Sequence, residues 1–129
     1  MLNDPLANAL SVIMNAEKMG KPECTVKPVS KVVKNVLSIM KDNMYLGDFK
    51  EVNDDRGHFI SINLIGNINK CSAIKPRFAI KKDGFEKYEK RFLPAKDMGI
   101  VIVSTPKGII TNSEAKKKKI GGRLLAYCY

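Results

Sequence analysis

Two β-branched runs near the C-terminal end, Ile100-Val101-Ile102-Val103 and Ile109-Ile110, enclose the segment Ser104-Thr105-Pro106-Lys107-Gly108. Short unbroken apolar runs bounded by turn residues read as buried strands. Pro106 fixes φ and Gly108 permits positive φ, so the connection between the strands is stiff and sharp. The chain must therefore place two neighbouring strands of one sheet here, and the hydroxyls of Ser104 and Thr105 and the ammonium of Lys107 are expected to project from a rigid ledge. A second segment of similar chemistry follows, Lys116-Lys117-Lys118-Lys119 and then Gly121-Gly122-Arg123. Hydroxyls, ammonium groups and bare glycine backbone are what a protein lays against a sugar-phosphate chain. The two segments are expected to form one RNA-binding surface, carried by a scaffold made of most of the remaining chain.

Charge points the same way. The net charge is +10, and it is segregated. Residues 1–65 carry eight Lys or Arg against eight Asp or Glu, whereas residues 66–129 carry fifteen against five. A basic half suits nucleic acid or an anionic membrane surface; solubility alone would not require the charge to be segregated. The three cysteines, Cys24, Cys71 and Cys128, are far apart and form no C-x-x-C pair, so buried thiols are expected rather than a zinc site or a disulfide framework. The N-terminus has no basic-then-apolar signal, and no apolar run approaches the ~20 residues of a membrane helix. A cytoplasmic protein with no membrane partner is the expectation.

The pattern along the chain predicts an α+β fold of two small lobes. Asp4-Pro5 opens a helix whose apolar positions are Leu6, Ala9, Leu10, Ile13 and Ala16, closed by Gly20 and Pro22. Cys24 to Lys27 reads as a short strand. Ser30 caps a second helix with Val32, Val33, Val36, Leu37 and Met40 as its stripe. Phe49 and Val52 lie on a strand that turns at Asn53-Asp54-Asp55-Arg56-Gly57 and returns through Phe59, Ile60, Ile62, Leu64 and Ile65. The order α-β-α-β-β thus fills residues 1–66, and Gly66-Asn67, where the charge changes, is the expected lobe boundary. Residues 67–129 form the basic lobe, mostly β with short helices. Ile68 to Ile74 is ambiguous, Lys75-Pro76-Arg77 is a basic turn, Phe78 to Ile80 a strand, and Phe85 to Leu93 a helix with Phe85, Tyr88 and Phe92 on one face. Those rings suit a core better than a base-stacking platform. Thr111-Asn112-Ser113-Glu114 is a capping box for a lysine-bearing helix from Ala115 onward, which Gly121-Gly122 halts. In the last strand Leu124, Ala126 and Cys128 alternate with Arg123, Leu125, Tyr127 and Tyr129.

Enzyme signatures are missing. The sequence has no P-loop, no G-x-G-x-x-G, no H-E-x-x-H and no G-x-S-x-G, and its one histidine, His58, lies in the neutral half. A DNA-binding or mRNA-binding regulator is the principal alternative. A helix-turn-helix would want a basic, exposed second helix, and this one is valine-rich inside and weakly basic outside.

Taken together, Asp4-Pro5-Leu6-Ala7, Pro28-Val29-Ser30-Lys31, the Ser104 to Gly108 turn and the ending Lys119-Ile120-Gly121-Gly122-Arg123-Leu124-Leu125-Ala126-Tyr127 resemble the small-ribosomal-subunit protein eight family. The likeness runs nearly end to end. The Phe85 to Pro94 helix resembles the archaeal and eukaryotic branch. The resemblance implies two α+β lobes, no cofactor, and a structural protein that binds the central domain of small-subunit ribosomal RNA directly and early in assembly. It implies a protein that is monomeric outside the ribosome and lies among neighbouring small-subunit proteins within it. By position it implies RNA contacts at Ser104, Thr105, Pro106, Lys107 and Gly108, and at Lys118, Lys119, Gly121, Gly122 and Arg123. The basic turn adds Lys75 and Arg77, and the first lobe adds Asp4, Pro5, Ser30, Lys31 and Lys34 on a different stretch of RNA. Bacterial members usually carry a hydroxyl residue where this chain has Pro106, so only van der Waals contact is expected there. Some bacterial relatives also repress their own messenger RNA; nothing in this sequence shows that role.

Overall fold

The computed structural model describes residues 5–27, 30–54, 57–75, 77–95 and 98–129. Asp4, Pro28, Val29, Asp55, Arg56 and Pro76, all named above, lie outside the described residues. The chain is α+β, and it divides into two compact units, Met1–Lys70 and Cys71–Tyr129.

In the first unit α1 (Pro5–Lys18) buries Leu6, Ala9, Leu10, Ile13 and Ala16, the face its apolar spacing predicts. Gly20 has φ +69, and the backbone N–H groups of Gly20 and Lys21 donate to the carbonyls of Glu17 and Ala16, closing the last turn. Then come β1 (Glu23–Val26), α2 (Lys31–Asp42), β2 (Leu46–Asp54) and β3 (Gly57–Leu64). The Ser30 hydroxyl accepts from Val33 N at 3.2 Å, so α2 starts where its cap dictates. Its buried stripe is Val33, Val36, Leu37 and Met40. Val32 is 36% exposed, because one residue is about 100° of helix and carries it off the face. The sheet runs β1-β3-β2, antiparallel, with Ile60 and Ile62 of the central strand fully buried. Ile65 lies beyond the end of β3 and is exposed, contrary to its place in the apolar pattern. Burial pushes the Glu17 carboxyl up, and its Oε2 has no hydrogen-bond partner among the described residues.

The second unit contains β4 (Cys71–Ala73), β5 (Ala79–Ile80), α3 (Phe85–Phe92), β6 (Ile100–Thr105), β7 (Gly108–Thr111), α4 (Asn112–Lys118) and β8 (Gly122–Cys128). The sheet runs β4-β8-β6-β7, and β5 also pairs with β8. Only Cys71–Ala73 of the ambiguous 68–74 stretch is strand, although Ile74 N still donates to Leu125 O. The expected alternation in β8 fails at its middle, where Leu124, Leu125 and Ala126 are all buried. The pairing explains this: Ile102 faces Ala126 but Val103 faces Leu124, so Leu125 is an extra residue and the register shifts. Val101, Val103, Ile110, Leu124 and Ala115 form a core with Ile74, Ile80, Phe85 and Leu93. Tyr88 and Phe92 pack against that core, Tyr88 with its ring centroid 5.4 Å from Phe78.

Candidate nucleic-acid interface

The Ser104 to Gly108 hairpin closes with Thr105 opposite Gly108 and only Pro106 and Lys107 between them. Pro106, Lys107 and Gly108 are exposed, and Gly108 has φ +120 with open space around it. Thr105 corrects the sequence reading. Its side chain does not project: the residue is 9% exposed, its Oγ1 donates to Gly108 O at 2.7 Å and accepts from Lys107 N at 3.2 Å. A hydroxyl at this corner has two backbone partners within reach, and they hold it inside the turn. Thr105 therefore shapes the tip, and Lys107 and Gly108 present it.

The second segment lies beside the first. Strand β8 is antiparallel to β6, so its start meets the end of β6, and Ser104 pairs with Arg123. Gly122 is so close to β6 that a methyl group there would overlap Ser104 O, and one on Gly121 would overlap Ile80 O. The place a side chain would take at these glycines is thus filled by strands β6 and β5 of the same chain, so their bareness serves the sheet, while both residues stay partly exposed. Neither glycine has positive φ; each is required for lack of bulk alone.

Nor do the glycines halt the lysine helix. It begins at Asn112, because Thr111 itself is the N-cap and its hydroxyl accepts from Glu114 N at 3.3 Å. It ends at Lys119, which takes φ +56 while Ile120 N donates back to Ala115 O at 3.1 Å. Lys117, Lys118 and Lys119 are exposed. Lys116 pairs with Glu89 of α3. Glu89 also accepts from Asn112 Nδ2 at 2.9 Å, and Asn112 Oδ1 accepts from Val101 N at 3.1 Å. This half-buried chain of contacts fixes α4 against α3 and β6, so it orients the lysines; only the tertiary packing of α3 reveals it. A cavity of about 510 Å³ beside it is lined by charges of both signs, among them Lys82, Glu86, Glu89 and Lys90. Among the described residues no group of three or more His, Cys, Asp or Glu is gathered to hold a metal ion.

Ala79, Arg123, Ser104 and Ile109 lie opposite one another in turn across β5, β8, β6 and β7, and directly opposed residues share a face. Ala79 and Arg123 are exposed, and Ser104 and Ile109 are partly so. The sheet end therefore offers a continuous row with a guanidinium and a hydroxyl at its centre and Lys107 at its tip. Ala79 and Ile109 carried no signal in the sequence, because their place depends on cross-strand register. Lys75 and Arg77 are exposed just before β5.

In the first unit the candidate residues are differently placed. Pro5 is the first residue of α1 and Ser30 is engaged as a cap. Lys31 is exposed, while Lys34 Nζ lies 3.3 Å from Glu51 Oε2, whose other oxygen is 2.6 Å from His58 Nε2. Lys41 Nζ sits 2.9 Å from Asp48 Oδ1; hydrogen bonding and charge in this pair raise the Lys41 pKa and lower that of Asp48.

The family model for ribosomal protein S8 matches residues 4–129. The small ribosomal subunit protein uS8 of Methanococcoides burtonii is 50% identical over 129 residues, covering 100% of this chain and 99% of the relative.

Proposed function

The chain belongs to the ribosomal protein S8 family, and from that premise we propose that it binds the central domain of small-subunit ribosomal RNA directly and organises it during assembly. As a family member it is a structural protein of the small ribosomal subunit, associated with ribosomal RNA and ribosomal proteins. The observation that carries the finer reading is the meeting of the Ser104–Gly108 tip with Gly122-Arg123 at one sheet end, in the half of the chain that holds all the excess positive charge.

The surface works by division of labour. Lys107, Lys118, Lys119 and Arg123 neutralise phosphates and release counterions. Lys75 and Arg77 add to that charge. The Ser104 hydroxyl and the exposed backbone of Gly108 can meet a base edge or a 2′-OH in an irregular minor groove, with Pro106 giving van der Waals contact. Thr105, Gly121 and Gly122 hold these groups in register and act through them. Residues 67–129 are the main RNA-binding lobe in this reading. Lys31, with Pro5, Ser30 and the ion-paired Lys34, meets a second stretch of RNA. The protein is a cytoplasmic monomer before it joins the ribosome and its neighbouring proteins there, and it works without a cofactor. The DNA-regulator reading is weakened by α2, whose Lys34 and Lys41 are held by Glu51 and Asp48.

Equilibrium binding to a central-domain fragment, against a scrambled RNA of equal length over a salt series, tests the proposal. Tighter binding to the ribosomal fragment that persists at high salt is expected. Equal binding to both, vanishing with salt, would overturn it.

A further inference from the structure

Strand β4 opens on Cys71 and β8 closes on Cys128, and the register of the two strands sets these cysteines directly opposite each other. Antiparallel partners alternate between pairs that exchange backbone hydrogen bonds and pairs that do not. The same register carried one residue further brings Ile74 opposite Leu125, and Ile74 N donates to Leu125 O at 2.9 Å, so that level is hydrogen-bonded. The alternation then makes Ala73 with Ala126 a non-bonded pair, Ser72 with Tyr127 a bonded one, and Cys71 with Cys128 non-bonded again. Non-bonded partners have Cα atoms about 4.5 Å apart and side chains that converge on one face, and a disulfide takes Cα separations of roughly 4.4–6.8 Å. Both cysteines are thiols in the structure, 4% and 1% exposed. The two strands differ in freedom. β8 is clasped on its other side by β6, with Ile100 opposite Cys128, and Gly99 is so close that a side chain there would overlap Cys128 O. β4 is three residues long and, among the described strands, pairs with β8 alone. A short edge strand detaches at little cost, and that opening brings buried thiols to a reagent. The remaining thiol, Cys24, belongs to the first unit, where burial and the carboxylates of Glu17 and Glu23 raise its pKa and keep its thiolate scarce.

We propose that Cys71 and Cys128 are an oxidisable pair that closes into a disulfide and staples β4 to β8, with a low-molecular-weight disulfide as the oxidant. The Cys71 thiolate, reached when β4 lifts, attacks one sulfur of the reagent; the reagent's S–S bond breaks and its first thiolate leaves. The Cys128 thiolate then attacks the Cys71 sulfur of the mixed disulfide, and the second reagent thiolate leaves. Two electrons pass from the cysteine pair to the reagent, and the two protons the cysteines give up end on the two released thiols. In a reducing compartment the pair stays a dithiol, and it closes as disulfides accumulate. Arg123 and Ser104 pair at the other end of β8, so this pair of thiols is independent of the RNA-binding reading.

The test incubates the full-length folded protein with mixtures of oxidised and reduced glutathione, quenches with acid, alkylates in denaturant and weighs the chain. As the mixture becomes more oxidising, a form that takes one alkyl group instead of three is expected, with a Cys71–Cys128 linked peptide after proteolysis and all three thiols restored by a dithiol reductant. C24S should still close, and C71S and C128S should not. Closure should slow exchange of the Ile74 amide several-fold, because its bond to Leu125 no longer opens with the edge, and should raise the melting temperature by several degrees. Three alkylated cysteines in the folded wild type, in a mixture that oxidises the same chain in denaturant, would overturn the proposal. A bridge that includes Cys24, or mixed disulfides that never resolve, would overturn it as well. A Cys71–Cys128 bridge that left Ile74 exchange unchanged would overturn the staple.

Discussion

Gly108 and the Gly121-Gly122 pair look alike in the sequence, each a glycine beside cations near the C-terminal end. In the fold they are opposites. Gly108 has φ +120 and nothing near its missing side chain, so its need is conformational and its backbone faces solvent. Gly121 and Gly122 have backbone any residue could adopt, but carbonyls of β5 and β6 fill the space a side chain would take. A bare backbone therefore announces a close approach without saying what approaches. At one end of this surface the place of the missing side chain is open, and at the other the chain itself fills it.

Substitution separates the two cases. G122A meets backbone rather than a flexible side chain, so β8 must move from β6; a loss of roughly 3 kcal/mol is expected in chemical denaturation, the upper end for overpacking. A G122A protein as stable as wild type would erase the contrast. T105V removes two hydrogen bonds from inside the turn and should cost about 1–2 kcal/mol, with T105S recovering most of it. T105V that lost RNA affinity at unchanged stability would instead put the hydroxyl on the RNA. G108A forces a side chain into a left-handed backbone, at about 1–2 kcal/mol, with no clash; its unfolding should be milder than that of G122A while its RNA binding falls. K107Q should leave stability within about 0.5 kcal/mol and lower the salt slope of binding by about 0.7–0.9.

The smallest effect is expected in the first unit. The folded pKa of Glu17 is raised above its ordinary 4.5 by burial. The native state then holds this proton to higher pH than the unfolded chain does. Stability falls as pH rises from below the ordinary value through the raised one, and the penalty persists at neutral pH. E17Q should raise the melting temperature slightly at pH 7 and flatten the slope just above pH 4.5. An unchanged pH profile would show that the carboxylate is not desolvated.

Local chemistry made much of this fold legible. Ser30 and Thr111 cap the helices they were expected to cap, and the Thr105–Gly108 turn joins two strands. Those features are decided within a few residues. What misled was decided at a distance. The partners of Gly121 and Gly122 are Ile80 and Ser104, brought near only by sheet pairing. The bulge at Leu125 interrupts the alternation of β8, where Leu124, Leu125 and Ala126 are all buried. The lysine helix ends at Lys119 in a left-handed conformation that a sequence pattern would assign to glycine. The two segments expected to lie close together do meet, Ser104 pairing with Arg123, yet the roles of Thr105 and the paired glycines depended on what each one touches.

The most direct test follows backbone amide shifts as the central-domain RNA fragment is added to the isotope-labelled protein. The largest changes should fall at Lys107, Gly108 and Arg123, with Lys118 and Lys119 close behind. Large changes confined to residues 5–70, with Lys107, Gly108 and Arg123 unmoved at saturation, would contradict the account.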